Sequence, residues 1–287
     1  MEYRNLGSSG LQVSVAGLGT NQFGSRLDAN ETANVVSAAL DLGVNFFDEA
    51  DIYGGRGRSE EFLGCAMQGR RHEIVLATKF GNRMADGPMG NGASRRYLMQ
   101  AIEASLRRLQ TDYVDVYFVH VPDPWVPQEE TMRALDDLVQ AGKVRYLGLS
   151  NYEGWRIGDA AWTAQHLGLT LPATAEHQYS LLDRRTEAEV IPAAIRYRMG
   201  FIPYAPLARG MLTGKYERGN AAPEGTRLAT APQARGLLVE RNFDLVDRLA
   251  AYAKTHGHTL VELALSWLAC RSFVSTVIAG VTRVEQL

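Results

Sequence analysis

The feature that most restricts what this chain can fold into is a strand–helix alternation repeated eight times. Short runs rich in Val, Ile, Leu and Phe read as buried strands, and each gives way to a segment with helical apolar spacing. The first strand is Val15–Leu18, followed by a helix over Thr32–Leu42 that opens at Asp28-Ala29-Asn30-Glu31 and stops at Gly43. Further strands fall at Asn45–Asp48, Ile74–Lys79, Val114–His120, Val144–Ser150, Ala173–Glu176, Phe201–Tyr204 and Ser275–Ala279. Helices fall at Ser59–Met67, Ser94–Leu109, Gln128–Ala141, Tyr152–Leu167 and Glu187–Arg198. A long Gly/Pro-containing loop then leads to helices near Leu237–Lys254 and at Thr259–Cys270. Uniform alternation implies a parallel sheet, and eight such units imply an α/β fold closed as a (β/α)8 TIM barrel. Tyr3–Leu6 and Leu11–Ser14, around Gly7-Ser8-Ser9-Gly10, read as a β-hairpin that caps the barrel bottom. A doubly wound open sheet would need a glycine-rich phosphate loop that opens a helix. Gly17-Leu18-Gly19-Thr20 has no such helix start behind it.

With 287 residues, 46% of them hydrophobic, the chain reads as a single barrel domain over 1–287. Gly280–Leu287 ends one turn into the place of an eighth helix, so a C-terminal helix and tail are expected to be missing from this sequence. A net charge of −2 without long runs of one sign argues against nucleic acid or an anionic membrane as the main partner. MEYRNLGSSG has no apolar core of a secretory signal, and no apolar run approaches the ~18–20 residues of a bilayer span. A cytoplasmic protein is the default expectation. Cys65 and Cys270 fall in amphipathic helices and read as buried structural thiols. Two cysteines without a His cluster give neither a disulfide framework nor a metal site. No heptad pattern or exposed apolar stripe decides the oligomeric state.

In a barrel of this kind the C-terminal ends of the strands meet at one face, where chemistry is placed. The second strand runs into NFFDEADIYG and delivers Asp48 and Tyr53. The third ends at Lys79 in IVLATKF, and the fourth at His120 in VDVYFVH. Consecutive strands therefore bring a carboxylate, a phenol, an ammonium and an imidazole together. A tyrosine near pKa ~10 is a poor proton donor at neutral pH, and a cation beside it is expected to lower that value. Lys79 can supply the cation, Asp48 can hold Lys79 charged, and His120 can donate to a substrate oxygen. Such a set suits protonation of a carbonyl oxygen as charge develops on it, with a hydride donor from elsewhere. A glycoside hydrolase with Asp48 and Asp51 as its carboxylate pair is the competing reading, and it leaves Lys79 without a role. Asn21, Phe23, Tyr53, Trp125 and Trp155 are candidates for an aromatic substrate pocket suited to an apolar aldehyde or ketone.

The segments FFDEADIYG with GRGRSEEFLG, LATKFG, DVYFVHVPDP, GKVRYLGLSNY, PYAPLARGMLTGKY and VIAGVTRVEQL cover nearly the whole chain. In these the sequence resembles the aldo-keto reductase superfamily, most of all the branch of potassium-channel β subunits and many bacterial reductases. The resemblance implies a catalytic tetrad of Asp48, Tyr53, Lys79 and His120, with Tyr53 as the acid in reduction and the base in oxidation. It implies a nicotinamide cofactor across the strand ends, from Gly19 and Thr20 to Gly280. Ser150 and Asn151 would contact the carboxamide, and Tyr204 would stack on the nicotinamide. Pro206, Leu207, Arg209 and Gly210 would line the pyrophosphate. Lys215, Arg227, Thr282, Arg283 and Gln286 would surround the adenosine end. The available cations suit a 2′-phosphate, which favours NADPH with NADH as the alternative. A small-molecule carbonyl is the expected partner, and a cofactor-binding regulatory or redox-sensing subunit with slow turnover is the second reading. Three positions depart from the family pattern, one of them Arg209, which stands where a small residue is common and could add a phosphate contact. Glu49 stands where Thr is frequent, and Glu176 stands where a Gln usually helps bind the carboxamide. An ionised Glu176 can accept from the carboxamide but cannot donate to it.

Overall fold

A computed structural model describes residues 1–230 and 236–287. Strands β1 (Tyr3–Asn5) and β2 (Gln12–Ser14) pair antiparallel as the expected hairpin. Eight parallel strands follow: β3 (Ala16–Gly19), β4 (Phe46–Asp48), β5 (Val75–Phe80), β6 (Val114–Val119), β7 (Val144–Ser150), β8 (Pro172–Gln178), β9 (Gly200–Tyr204) and β10 (Val277–Gly280). Their spatial order is β10-β3-β4-β5-β6-β7-β8-β9. The seam between β9 and β10 is drawn together below β10. There Phe201 N donates to Phe273 O at 3.0 Å and Ser275 N donates to Phe201 O at 3.0 Å. The result is the (β/α)8 TIM barrel, closed at that seam by a short bridge rather than a full ladder.

The helices are α1 (Ala29–Asp41), α2 (Tyr53–Arg56), α3 (Arg58–Ala66), α4 (Arg95–Leu109), α5 (Gln128–Gln140), α6 (Gly154–Leu167), α7 (Val190–Arg196), α8 (Arg227–Thr230), α9 (Glu240–Thr255) and α10 (Leu260–Ala269). Their starts follow local chemistry. Asp28 and Glu31 form a reciprocal capping box on α1, and Thr259 and Glu262 form another on α10. The helix expected over Glu187–Arg198 is shorter, because Arg185–Glu187 makes a 3-10 turn and Glu189 departs from helical geometry at φ −143°. The loop expected after Tyr204 passes in part through residues outside the described set. What is described of it carries its own small core. Ala208, Met211, Leu212, Tyr216 and Leu228 pack with Phe243 and Val246 of α9 and Leu260 and Ala264 of α10.

The period-two alternation of the strands divides their side chains between two cores. Phe47, Leu76, Phe80, Tyr117, Val119, Leu149 and Ala175 face outward into the layer beneath the helices. Phe46, Val75, Ala77, Val116, Phe118, Ile202 and Ile278 fill the barrel interior, and Leu6 and Val13 of the hairpin close it from below. That interior has no spare room. A Cβ on Gly148 of β7 would lie 2.3 Å from the Phe118 ring, so the glycine is what admits the phenylalanine. The expectation of buried thiols is corrected: Cys65 and Cys270 are both exposed. The inner face of α3 is Ser59, Glu60, Leu63 and Gly64, which turns Cys65 outward, and Cys270 is the residue that caps α10. Among the described residues, no helix is long and apolar enough to cross a membrane.

Replacing Gly148 by Ala forces the Phe118 ring to move in a filled barrel and should cost about 1–3 kcal/mol. In a chain of this size that is a drop of roughly 2–10 °C in melting temperature, read by thermal unfolding followed by circular dichroism. An unchanged melting temperature would mean that the interior is looser than these contacts imply.

Candidate active site

The same alternation that fills the interior aims the chemistry. On β4 the inward series is Phe46, Asp48; on β5 it is Val75, Ala77, Lys79; on β6 it is Val116, Phe118, continued by His120 just past the strand end. Register pairs Asp48 with Ala77 and Lys79 with Phe118, so the functional groups step up one turn of the barrel mouth. Tyr53 arrives from the short turn of α2. Gly54 there has φ 65°, and a Cβ would lie 2.6 Å from Ser59 N and 2.8 Å from Phe23 O. The turn is thus pinned against its neighbours directly behind the phenol.

Lys79 is the centre of the site and is fully buried. Its ammonium donates to an Asp48 carboxylate oxygen and, at 3.1 Å, to the Glu49 carbonyl. It also lies 3.4 Å from Glu176 Oε2. The Tyr53 and Phe118 rings flank it at 5.5 and 5.6 Å from their centroids. Burial pulls the ammonium down, but Asp48, Glu176 and Tyr53 outweigh it, so Lys79 stays charged. Burial lifts the Asp48 carboxyl above its ordinary value, and Lys79 draws it back only in part. His120 packs edge-on against the Tyr53 ring, with centroids 5.9 Å apart. Burial, then the Lys79 charge, push its imidazole down to about 3, so it is neutral at physiological pH and carries one N–H to donate.

The expected lowering of the tyrosine is not what the balance gives. Burial raises the Tyr53 phenol, Lys79 offsets this only in part, and Asp48, Glu176 and Glu49 add to the rise. Burial is the largest influence, and the carboxyl neighbours that come with the lysine oppose its field at Tyr53. Tyr53 is therefore held as the protonated phenol. Tyr53 and His120 keep partial exposure while Asp48 and Lys79 lie beneath them, which puts the proton donor and the hydrogen-bond donor at the accessible level.

The groups assigned to a cofactor divide into those at the mouth and those along its rim. Asn151, in the left-handed region at φ 59°, donates from Nδ2 to His120 O at 2.9 Å and to Ser150 Oγ at 3.0 Å. Its Oδ1 accepts from the Tyr204 hydroxyl at 2.7 Å. One side chain thus ties together the ends of β6, β7 and β9. Glu176, buried on β8, is paired in register with Ser150 and turns its carboxyl toward Lys79 and Asp48. Thr20 is fully buried and donates from its hydroxyl to Asp48 O at 2.9 Å, so it fastens the end of β4. Gly19 is packed against Ile278, and Gly280 faces Asn21 Oδ1.

Along the rim, Ala205, Ala208 and Arg209 have φ of 53°, 47° and 57°. Left-handed residues other than glycine are uncommon, and strain of this kind collects at functional sites. Pro206 is buried within this run, and Leu207 packs beside the small core below it. A Cβ on Gly210 would meet Lys215 Cε at 2.8 Å, which places that lysine over the loop. Arg227 is lowered from its ordinary value by burial first and then by Arg209 and Arg26, while the Tyr53 phenol raises it. Arg227 thus shares its surroundings with Arg209, Arg26 and the Tyr53 phenol, and Arg26 is a cation that the sequence reading did not single out. Beyond β10, Gln286 Oε1 accepts from Thr282 N at 2.7 Å and from its hydroxyl at 3.1 Å, and Arg283 lies 3.8 Å from Glu285. Of the aromatic pocket candidates, Phe23 is wholly buried in the outer core. Trp125 is 91% and Trp155 61% exposed.

Glu49 and Asp51 turn away from Lys79's side of the strand into a second buried network beneath α3 and α4. Ser59 Oγ donates to Glu49 at 2.7 Å and to Thr20 O at 3.0 Å. Glu60 accepts from Thr78 Oγ1 at 2.6 Å and from Arg108 Nε at 2.7 Å. Both Asp51 oxygens are buried without a hydrogen-bond partner. Burial and Glu60 raise its carboxyl to about 8. Asp48 spends itself on Lys79, whereas Asp51 belongs to this outer network, so the two do not act as a carboxylate pair on one substrate.

A sequence profile described as the Aldo/keto reductase family matches residues 16–287. The chain belongs to the aldo/keto reductase family. It is 38% identical over 297 residues to a probable voltage-gated potassium channel subunit beta of Oryza sativa subsp. japonica, covering 100% of this chain and 89% of the relative. It is 37% identical to the uncharacterized oxidoreductase YrpG of Bacillus subtilis (strain 168), with the same coverage of 100% and 89%. It is 34% identical over 299 residues to L-glyceraldehyde 3-phosphate reductase of Escherichia coli (strain K12), covering 100% of this chain and 86% of the relative. Membership and these relatives support oxidoreductase activity for this aldo/keto reductase chain.

Asp51 keeps its proton in the fold up to about 8 and loses it near ~3.9 when unfolded. The folded state thus binds more protons than the unfolded state between those values, and this contribution to stability falls as pH rises through that window. Asp51→Asn removes the titration. The variant should gain on the order of 1–4 kcal/mol relative to the parent between pH 5 and pH 8, read from urea midpoints at the two pH values. A difference between the two proteins that does not change with pH would rule out a protonated Asp51.

Proposed function

We infer that this aldo/keto reductase chain interconverts an aldehyde or ketone with its alcohol, with NADPH preferred to NADH. The observation that carries the reading is the buried Lys79–Asp48 pair set beneath a protonated Tyr53, with a neutral His120 beside it. A reduced nicotinamide supplies the hydride that no side chain in the site can provide. The residues fit such a group. The mouth offers the buried Glu176 carboxyl beside Ser150 and an amide-tethered Tyr204 ring, and the rim offers a strained loop among Arg209, Lys215 and Arg227. Ser150, Asn151 and Glu176 would hold the carboxamide end. Gly19, Thr20 and Gly280 would form the floor, and Pro206, Leu207 and Gly210 would border the phosphates. Thr282, Arg283 and Gln286 would take the adenosine end, where Arg283 lies 3.8 Å from Glu285.

In reduction, His120 donates its N–H to the carbonyl oxygen and Tyr53 delivers the proton as charge grows there. Lys79 stabilises the phenolate that Tyr53 leaves behind, and Asp48 keeps Lys79 aimed upward. A phenol held above its ordinary value favours this direction at neutral pH over the reverse, in which Tyr53 must first be ionised. The relative named for L-glyceraldehyde 3-phosphate reduction supports an aldehyde as the reacting group. The 38% identity to proteins named as channel β subunits supports the second reading, a cofactor-binding subunit with slow turnover. Tight cofactor binding with no turnover on reactive aldehydes and ketones would select that second reading.

Tyr53→Phe should lower kcat for aldehyde reduction by about 10²–10⁴-fold while leaving the NADPH dissociation constant within a few-fold of the parent. Full activity in that variant would sink the assignment of the acid. Arg283→Ala should weaken NADPH about tenfold and leave NADH unchanged in parallel fluorescence titrations. Equal losses for both cofactors would remove the 2′-phosphate role.

A further inference from the structure

Glu176 carries a charge that the proposed chemistry does not use. It sits on β8, and its carbonyl accepts from Asn151 N at 3.1 Å. Its Oε2 is 3.4 Å from Lys79 Nζ, and its carboxyl also meets that of Asp48. A buried cluster of two carboxyls and one ammonium carries a net negative charge when both acids are ionised and none when they share a proton. Burial favours the shared proton, because an uncompensated charge out of water is costly. Lys79 is already committed to Asp48, so the proton resides on Glu176. In that state Glu176 is a neutral hydrogen-bond donor, as a glutamine amide would be.

We propose that Glu176 is a proton-linked selector of the cofactor's oxidation state. This rests on the reading of the mouth as a nicotinamide site. Protonated, Glu176 presents a neutral group beside Ser150 and Asn151 and leaves the reduced, uncharged ring undisturbed. Ionised, it adds a negative charge at that end of the mouth and favours the oxidised, positively charged ring. The groups that face it are Asp48 from β4, Lys79 from β5, Tyr53 from α2 and Tyr204 from β9, with His120 beyond Lys79 on the β6 side. Lys79 and the two phenols ionise well above neutrality, and His120 well below it, so within the cluster only the Asp48–Glu176 proton is exchanged between pH 6 and 9. Glu176 itself is raised to about 8 by burial and by Asp48, within that interval.

The test is the ratio of dissociation constants for NADPH and NADP⁺, measured by fluorescence titration at pH 6, 7, 8 and 9. The 2′-phosphate and pyrophosphate are common to both ligands, so their own titration cancels in the ratio. For the parent protein the ratio Kd(NADPH)/Kd(NADP⁺) should rise roughly tenfold from pH 6 to 9, the change expected for a one-unit difference in carboxyl proton affinity between the two complexes. In Glu176→Gln the ratio should stay constant. A second measurement needs no variant: mixing the parent protein with NADP⁺ at pH 7.5 in weak buffer should release a proton fraction that an indicator dye reads, and mixing with NADPH should release less. A flat ratio in the parent, or equal proton release with both ligands, overturns the selector while leaving the cofactor reading intact. Failure of either ligand to bind at any pH overturns the cofactor reading itself, and the selector with it.

Discussion

The site depends on one buried ammonium. Lys79 is removed from water at the top of the barrel, and an isolated charge there would be costly enough to neutralise or unfold its surroundings. Asp48 and the Glu49 carbonyl keep it charged, and each comes from the neighbouring strand end at a height set by the β4–β5 register. That register is fixed together with the packing below it, where Phe46, Val75, Ala77, Phe118 and their neighbours fill the barrel. The apolar plug and the polar mouth are therefore one construction. Moving a strand by one residue would turn its functional group into the outer core.

Compensating Lys79 has an electrostatic consequence. Two carboxyls surround one cation, and together they reduce the positive field that the phenol above would otherwise feel. The tyrosine stays protonated, the histidine stays neutral, and one carboxyl keeps its proton. Acid–base states in this mouth are set as a group, and no single pair predicts them. A lysine placed beside a tyrosine lowers its pKa overall only when its effect exceeds the combined rise from burial and from the carboxyls that accompany it. Here burial is the largest influence on the phenol, and Asp48, Glu176 and Glu49 oppose the lysine that would lower it.

The strand periods were legible because burial on both faces writes continuous apolar runs, and most ends fell within a residue or two of the observed elements. Asp48, Lys79 and His120 were legible for the same reason: each is a polar residue at the C-terminal end of an apolar strand. What was not legible depends on partners distant in sequence. Glu176 looked like a departure from a glutamine, with no sign that it would lie against Lys79, 97 positions earlier. The outer network of Glu49, Ser59, Glu60, Thr78 and Arg108 was hidden because each residue alone reads as a helix-surface or strand-end polar group. Arg26 joined the rim only because its loop folds back toward Arg209 and Arg227.

By itself the sequence determined the alternation of elements, the parity that points certain side chains inward, and the family to which those residues belong. These are local properties, set by the two-residue period of a strand and the residue types at its end. Only the tertiary structure decided which groups share a charge. It buried Lys79 between two carboxyls, left Trp125 and the thiols in solvent, and closed the barrel through Phe201 and Ser275 instead of a complete ladder. Electrostatic states depend on distance and burial in three dimensions, and neither is written in the order of residues along one strand.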